Sequence, residues 1–366
     1  MNSSALKVNA DYEAVLFGGN PAEEINQTIE FLAFFLEQKP LLSSKNYPAD
    51  YLLYVERVSG HRPQVISKAD AVLWWGKLED IKTEQLLNSK ITSTKLMMKE
   101  GWCDTTAIIY NQKELSQIKP GSALLIKDPY SMSGRGFISY QDLAQDGALS
   151  TLQKKLEKTP LIAEPLLDRK HDFSHYIFTD GSKICYQNLV DSRFQYKGTV
   201  FTNWMKANVE QLPFYSEIGE SEWQKFEQAL TLIQQLYSTL AQDLKQQMGF
   251  SVDSFTYLQE SKLKIRYLSE VNFRRTMGLV AYQLSQTYAK DRSWSSLLIE
   301  KSFKGKGDFA ALKKRLNEIL LTEEKESGVI ILSPGNSRFE MFYLCAENAG
   351  EGEKLQLRLQ TLLANT

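Results

Sequence analysis

The chain has 366 residues, a formal net charge of -1, 43% hydrophobic and 11% aromatic residues. That is ordinary globular composition, long enough for two or three domains with substantial cores, and it excludes a general attraction for nucleic acid or membranes. The three cysteines, Cys103, Cys185 and Cys345, are scattered and odd in number, which argues against a disulfide framework or a cysteine metal centre and points to free thiols in a reducing cytosol. The opening Met-Asn-Ser-Ser-Ala-Leu-Lys lacks the apolar core of a signal peptide, and no run is long enough to span a bilayer. The expected location is therefore cytoplasmic.

Residues 11–88 read as an α/β unit. Ala14-Val-Leu-Phe-Gly-Gly-Asn-Pro21 is expected as a strand ending in a Gly18-Gly19 turn, and residues 22–38 as a helix with Ile25, Ile29, Leu32, Ala33 and Leu36 at helical spacing. Tyr51-Leu-Leu-Tyr-Val55 and Ala71-Val-Leu-Trp-Trp75 are further expected strands. A new unit begins with a helix capped by Asn88 or Ser89 that runs to about Glu100 and stops at Gly101. Ala107-Ile-Ile-Tyr110 is a short strand.

Ser122-Ala-Leu-Leu-Ile-Lys127 reads as a strand whose last residue is a lysine. Asp128-Pro129 breaks it, and Tyr130-Ser-Met-Ser-Gly-Arg-Gly-Phe137 follows. Small residues such as Ser133, Gly134 and Gly136 let backbone N–H groups approach anionic oxygens, and a lysine fixed at a strand end adds a positive charge beside them. This is not a P-loop, because no Gly-Lys-Ser/Thr opens a helix after it. Residues 151–158 form an amphipathic helix, and Pro160-Leu-Ile-Ala-Glu-Pro-Leu-Leu-Asp168 contains the next strand. Asp172–Phe178 and Lys183–Val190 are strands, with Arg193 in the segment after the second. His171 and His175 show no metal spacing and read as ordinary polar positions.

Residues 221–247 make the longest helix, with an apolar stripe from Trp223 to Leu244 that is core packing. Gly249–Leu258 and the strand leading into Tyr267-Leu-Ser-Glu-Val-Asn-Phe-Arg-Arg-Thr-Met-Gly278 should pair as a hairpin across a turn at 259–262. Alternation puts Glu270, Asn272 and Arg274 on one face and Ser269, Val271 and Phe273 on the other. A carboxylate and an amide oxygen on one face are hard ligands that suit Mg²⁺, and antiparallel pairing brings Asp253 beside them. Beyond Gly278 the expected elements are helices at 278–289, 308–324 and 354–363 and a hairpin of 327–332 with 338–344. No internal repeat appears.

The order of these segments resembles the ATP-grasp superfamily and is similar in motif order to the D-alanine–D-alanine ligases. The matching residues are Lys127 with its glycine loop, Glu164, Asp172, Asp253 and Glu270-Val-Asn272, and the likeness covers about residues 86–282. The resemblance implies an α/β and α+β architecture: an ATP-grasp fold with an N-terminal α/β domain (1–87), a lid subdomain (88–165), a C-terminal antiparallel-sheet subdomain (166–290) and a helix–hairpin–helix extension (291–366). It further implies that Lys127, Arg135 and Lys90, or Lys95 in place of Lys90, meet the nucleotide phosphates. Glu164 and the backbone at Leu166 and Leu167 would hold adenine. Asp172 would hold the ribose, with Asp168 as its rival. Asp253, Glu270 and Asn272 would bind Mg²⁺, or Mn²⁺ in its place.

The implied reaction uses ATP to convert a carboxylate to an acyl phosphate, which an amine then displaces to give an amide. Arg274 or Arg275 would stabilise the transferring phosphoryl group, and Arg193 would grip the acceptor carboxylate. The expected partners are small-molecule carboxylate and amine substrates, with no nucleic acid and no membrane; a homodimer is compatible with the sequence. A kinase on the same scaffold and a nucleotide-binding regulator without turnover are the two alternatives.

Overall fold

The computed structural model describes residues 4–103, 106–118, 124–130, 137–139, 148–241, 249–301, 308–335, 337 and 339–364. The first unit holds a parallel sheet of β1 (Ala5–Lys7), β2 (Leu41–Leu42), β3 (Val65–Ile66) and β4 (Ala71–Leu73) in the order β3-β2-β1-β4. The helices of this unit are α1 (Tyr12–Leu16), α2 (Glu23–Ile29), α3 (Ala33–Leu36), α4 (Ala49–Ser59) and α5 (Ile81–Asn88). Next, α6 (Lys90–Lys99) leads to the small antiparallel sheet of β5 (Ala107–Ile109), β6 (Leu124–Lys127), β7 (Phe137–Ser139) and β8 (Leu161–Pro165). Its order is β5-β8-β6-β7, with α7 (Gln112–Ser116) and α8 (Ala148–Leu156) in the same unit.

The largest sheet has eight antiparallel strands in the order β13-β12-β9-β10-β11-β14-β16-β15. They are β9 (Asp168–Ile177), β10 (Lys183–Val190), β11 (Tyr196–Phe201), β12 (Phe250–Gln259), β13 (Lys262–Asn272), β14 (Trp294–Lys301), β15 (Gly328–Ile331) and β16 (Phe339–Ala346). Helices α9 (Glu220–Leu240), α10 (Met277–Leu284), α11 (Phe309–Leu316) and α12 (Ala349–Ala364) complete the chain. Among the described residues no helix is long and apolar enough to cross a membrane.

Two expected strands are helices. Tyr51, Tyr54 and Val55 are the buried positions of α4 while Leu53 is exposed; their i, i+3, i+4 spacing is a helical stripe hidden inside a short apolar run. Gly60, at φ 74°, donates its N–H to the Glu56 carbonyl and ends α4, as a left-handed glycine does at a helix C-terminus. Likewise Ala14-Val-Leu16 lies in α1, where Tyr12 and Leu16 face the core one turn apart. Gly18-Gly19 is the turn the sequence indicated, with the Gly19 N–H on the Ala14 carbonyl. Residues 22–38 break into α2, a 3-10 turn and α3 rather than one helix.

The sequence reading assigned no strand to the segments that form β11 and β14. Together they carry the sheet on to β16 and β15, so residues beyond 290 share one sheet with the strands before them. One apolar core runs from Leu6, Phe31 and Tyr51 in the first unit to Phe309, Leu332 and Phe342. Hydrogen bonds from the Tyr51 hydroxyl to the Leu332 carbonyl and from the Ile331 N–H to the Tyr54 hydroxyl fix that contact. A second core packs α6 and α9 on the β9, β12 and β13 end of the large sheet.

The β12–β13 hairpin turns on Glu260 and Ser261, at φ 50° and 63°. Both signs are those of the primed two-residue turns that match strand twist. This sets Gln259 against Lys262; an irregularity further along then sets Phe255 against Arg266 but Asp253 against Glu270. A one-residue bulge lies on the other side of β12. Thr256 faces His171 while its neighbour Tyr257 faces Arg169, so Lys170 is the extra residue.

Candidate active site

One cavity opens where the first unit, the small sheet and the large sheet meet. It is lined by Lys90, Lys127, Glu164, Leu166, Leu167, Asp172, Asp253, Glu270, Asn272 and Arg274. The large sheet supplies its floor by simple alternation. Asp172 and Ser174 on β9 sit opposite Phe255 and Asp253 on β12, and Asn188 on β10 sits opposite Asp172. Facing residues of an antiparallel pair share a face, and all of these line the cavity.

At one end, Ser89 caps α6, its side chain accepting the Ile91 N–H, and this points Lys90 across to β13. Its Nζ lies 2.7 Å from Glu270 Oε2. Burial alone would lower the Lys90 ammonium, but Glu270, with Glu13 and Asp253 beyond, outweighs it and holds the group above the ordinary lysine value. Glu270 mirrors this: burial pushes it up, Lys90 and Arg274 pull harder, and it rests below the usual carboxylate range. Asp253 goes the other way. Burial and then the neighbouring Glu270 charge raise it, against hydrogen bonds from the Ser174 and Ser251 hydroxyls.

Asn272 joins the two acids. Its Nδ2 donates to Asp253 Oδ2 at 2.9 Å and to Glu270 Oε1 at 3.4 Å, while Oδ1 accepts from Arg274 Nη2 at 2.9 Å. The amide nitrogen thus stands where a cation between two carboxylates would stand. Turning the amide about its last bond places Oδ1 there instead, completing three hard oxygen donors that fit Mg²⁺ or Mn²⁺. Among the described residues no group of three His, Cys, Asp or Glu side chains offers a metal site; here the third donor is an amide.

Arg274 is held from the first unit, its Nε and Nη2 each 2.8 Å from Glu13 Oε1. Burial would lower it, but Glu13 and the two cleft acids raise it. Arg275 points away from the cavity. It stacks on the Trp74 ring at 4.2 Å and pairs with Glu37 at 3.5 Å. Arg193 is exposed in the turn between β10 and β11 and does not line the cavity. Lys95 is exposed on α6, whereas Lys90 lines the cavity.

At the other end, Lys127 closes β6 and forms an ion pair with Glu164 on the adjacent strand β8. Burial draws the Lys127 ammonium below its ordinary value, and Glu164 offsets only part of this. Leu166 and Leu167 follow Glu164 at the cavity edge. Asp172 lies inside the cavity, paired with Arg169, while its rival Asp168 is exposed and paired with Lys170 at 2.8 Å. Ser133, Gly134, Arg135 and Gly136 lie outside the described residues.

Sequence reasoning missed Arg169, Trp75 and Glu13. The last two come from the first unit, and only tertiary packing brings them to the cleft. For Arg169 nothing in the local pattern sets it apart from its neighbour Lys170; the bulge in β9 makes the difference.

No family model and no curated protein matches this chain. Many solved structures do. Carboxyaminoimidazole ribonucleotide synthase from Aspergillus clavatus, complexed with ATP, is 14% identical, covering 90% of this chain and 86% of its own, at TM-score 0.49. N5-carboxyaminoimidazole synthetase from Staphylococcus aureus, complexed with ADP, is 12% identical over 88% and 85%, at 0.47. Pyruvate carboxylase from Rhizobium etli is 13% identical over 79% of this chain, at 0.50, and this chain spans 28% of it. The likeness is one of fold, the ATP-grasp fold. The cavity lies between the β5–β8 sheet and the β9–β13 end of the large sheet.

Proposed function

We propose that this cleft binds Mg·ATP and runs an ADP-forming ligation of a carboxylate to an amine. The observation that carries the reading is the meeting in one cavity of two separated cations, Lys90 and Lys127, with the Asp253, Glu270 and Asn272 set. In the free protein each charge has an internal partner, so nucleotide binding exchanges partners rather than creating unpaired charge. Lys127 and Lys90 turn from Glu164 and Glu270 to phosphate oxygens. Glu164 is freed toward the adenine amino group, with the backbone at Leu166 and Leu167 along the base edge. Asp172 meets the ribose hydroxyls.

Asp253, Glu270 and Asn272 would hold Mg²⁺, or Mn²⁺, which supplies charge neutralisation between the terminal phosphates. Arg274, fixed by Glu13, presents its guanidinium at the end of that set and offsets charge on the transferring phosphoryl group. A substrate carboxylate oxygen attacks the terminal phosphorus and ADP leaves; an amine nitrogen then attacks the acyl carbon and phosphate leaves. The chain supplies positioning and charge, and no side chain forms a covalent bond to substrate.

The test is phosphate release from ATP against a matrix of carboxylates with amino acids and short peptides, followed by mass spectrometry of products. A ligase gives ADP, phosphate and an amide mass in equal amounts. ADP with a stable phosphoester and no free phosphate overturns ligation in favour of a kinase, and no turnover with intact ATP binding favours a regulator.

A further inference from the structure

The bulge in β9 changes which cation enters the cleft. Counting back by twos along the cavity face from Ser174 and Asp172, a regular strand would next present Lys170. Instead Lys170 is the extra residue, Arg169 faces Tyr257, and Arg169 lines the cavity while Lys170 pairs with the exposed Asp168. Bulges re-aim side chains in this way, often beside active sites.

The re-aimed guanidinium is tightly held. It lies 4.3 Å from the centre of the Phe255 ring and 5.3 Å from that of Phe194. Nε donates to Asp172 Oδ2 at 2.9 Å, and Nη2 pairs with Oδ1. Among the described residues Nη1 has no hydrogen-bond acceptor. Arg169 shares the cavity with Lys127, Glu164, Asp253 and Glu270, and it feels the charges of these acids, as Lys127 feels that of Arg169. A planar cation preset between two aromatic rings binds anionic oxygens with little loss of side-chain freedom.

We propose that Arg169 is a phosphate-binding residue of the nucleotide site, giving up Asp172 to the ribose hydroxyls as it takes the phosphate chain. The proposal rests on the nucleotide reading above. One cation then both neutralises Asp172 in the free protein and exchanges it for a stronger anion when nucleotide arrives.

The experiment is calorimetric titration of the full chain with adenosine and with ADP in EDTA, for wild type and Arg169→Met, which keeps an apolar stem between the two rings. The expected result is that the ratio of ADP to adenosine affinity falls at least tenfold in the variant, with adenosine affinity unchanged or raised. An unchanged ratio, including a parallel loss of both affinities, overturns the proposal and leaves Arg169 as a purely structural partner of Asp172. If Arg169→Met does not fold, the same ratio is compared between Asp172→Asn and the Asp172→Asn/Arg169→Met double variant, which buries no unpaired carboxylate. Wild type that binds neither ligand refutes the nucleotide reading itself, and the proposal with it.

Discussion

Lys90 Nζ and Glu270 Oε2 meet at 2.7 Å, joining the start of α6 to the strand that carries the candidate metal ligands, with side chains only 16% and 25% exposed. Removing the cation leaves Glu270 beside Asp253 with too little positive charge nearby. Lys90→Met should therefore lose about 1–3 kcal/mol of stability, less than for a fully enclosed pair. Millimolar Mg²⁺ should restore more of this in the variant than it adds to wild type. Urea unfolding with and without Mg²⁺ measures both effects; equal Mg²⁺ responses would contradict the arrangement.

Lys127 has little solvent around it and Glu164 as its partner. Lys127→Ala should weaken ADP binding by the loss of one charge-assisted contact, about 1.5–3 kcal/mol. The freed Glu164 adds repulsion toward phosphate in the same direction. Calorimetry of the variant checks this, and unchanged ADP affinity would remove Lys127 from the phosphate site.

His175 packs among Phe173 and Phe226 with Nδ1 unpartnered. Burial, with the Lys183 charge adding to it, pushes the imidazole down to about 3. The folded state thus binds fewer protons than the unfolded chain below the unfolded value near 6.5, so this contribution to stability is full above that pH and fades as pH falls toward 3. Between about pH 6 and pH 5, wild type should lose about 1 kcal/mol more than His175→Leu. Denaturant titrations at the two pH values provide the comparison, and parallel losses would show that His175 does not titrate in this way.

Gly278, the second residue of α10, lies flat against Tyr186, where an added Cβ would stand 2.0 Å from Cζ. Tyr186 is buried and bonded to Ser251 and Thr276, so it has no room to yield. Gly278→Ala should cost about 1–3 kcal/mol through overpacking, read as a lower urea midpoint at unchanged slope. An unchanged midpoint would mean that Tyr186 moves freely.

The β12–β13 hairpin was legible because each step depends on local chemistry: alternating side chains, a tight turn and antiparallel pairing put Asp253 opposite Glu270 with Asn272 next to them. The helices at α1 and α4 were not, because a run of four or five apolar residues carries no period until one knows which are buried. Arg275 and Arg274 are adjacent in sequence, yet only one faces the cleft. That choice is made by Glu13, Glu37 and Trp74, which are more than two hundred residues away along the chain. Residues beyond 290 showed no chemistry in the sequence; their role in closing a common core with the first unit depends on packing at long sequence separation.

The central claim is that the Glu270 strand holds the metal that seats ATP. Titration calorimetry with a non-hydrolysable ATP analogue, in Mg²⁺ and in EDTA, tests it on wild type and Glu270→Gln, which keeps the side-chain shape and removes one charge. The account predicts that wild type binds at least tenfold more tightly with Mg²⁺, and that Glu270→Gln loses this gain while remaining folded by circular dichroism. A Mg²⁺-dependent gain retained in Glu270→Gln, or no binding by wild type in Mg²⁺, would contradict it.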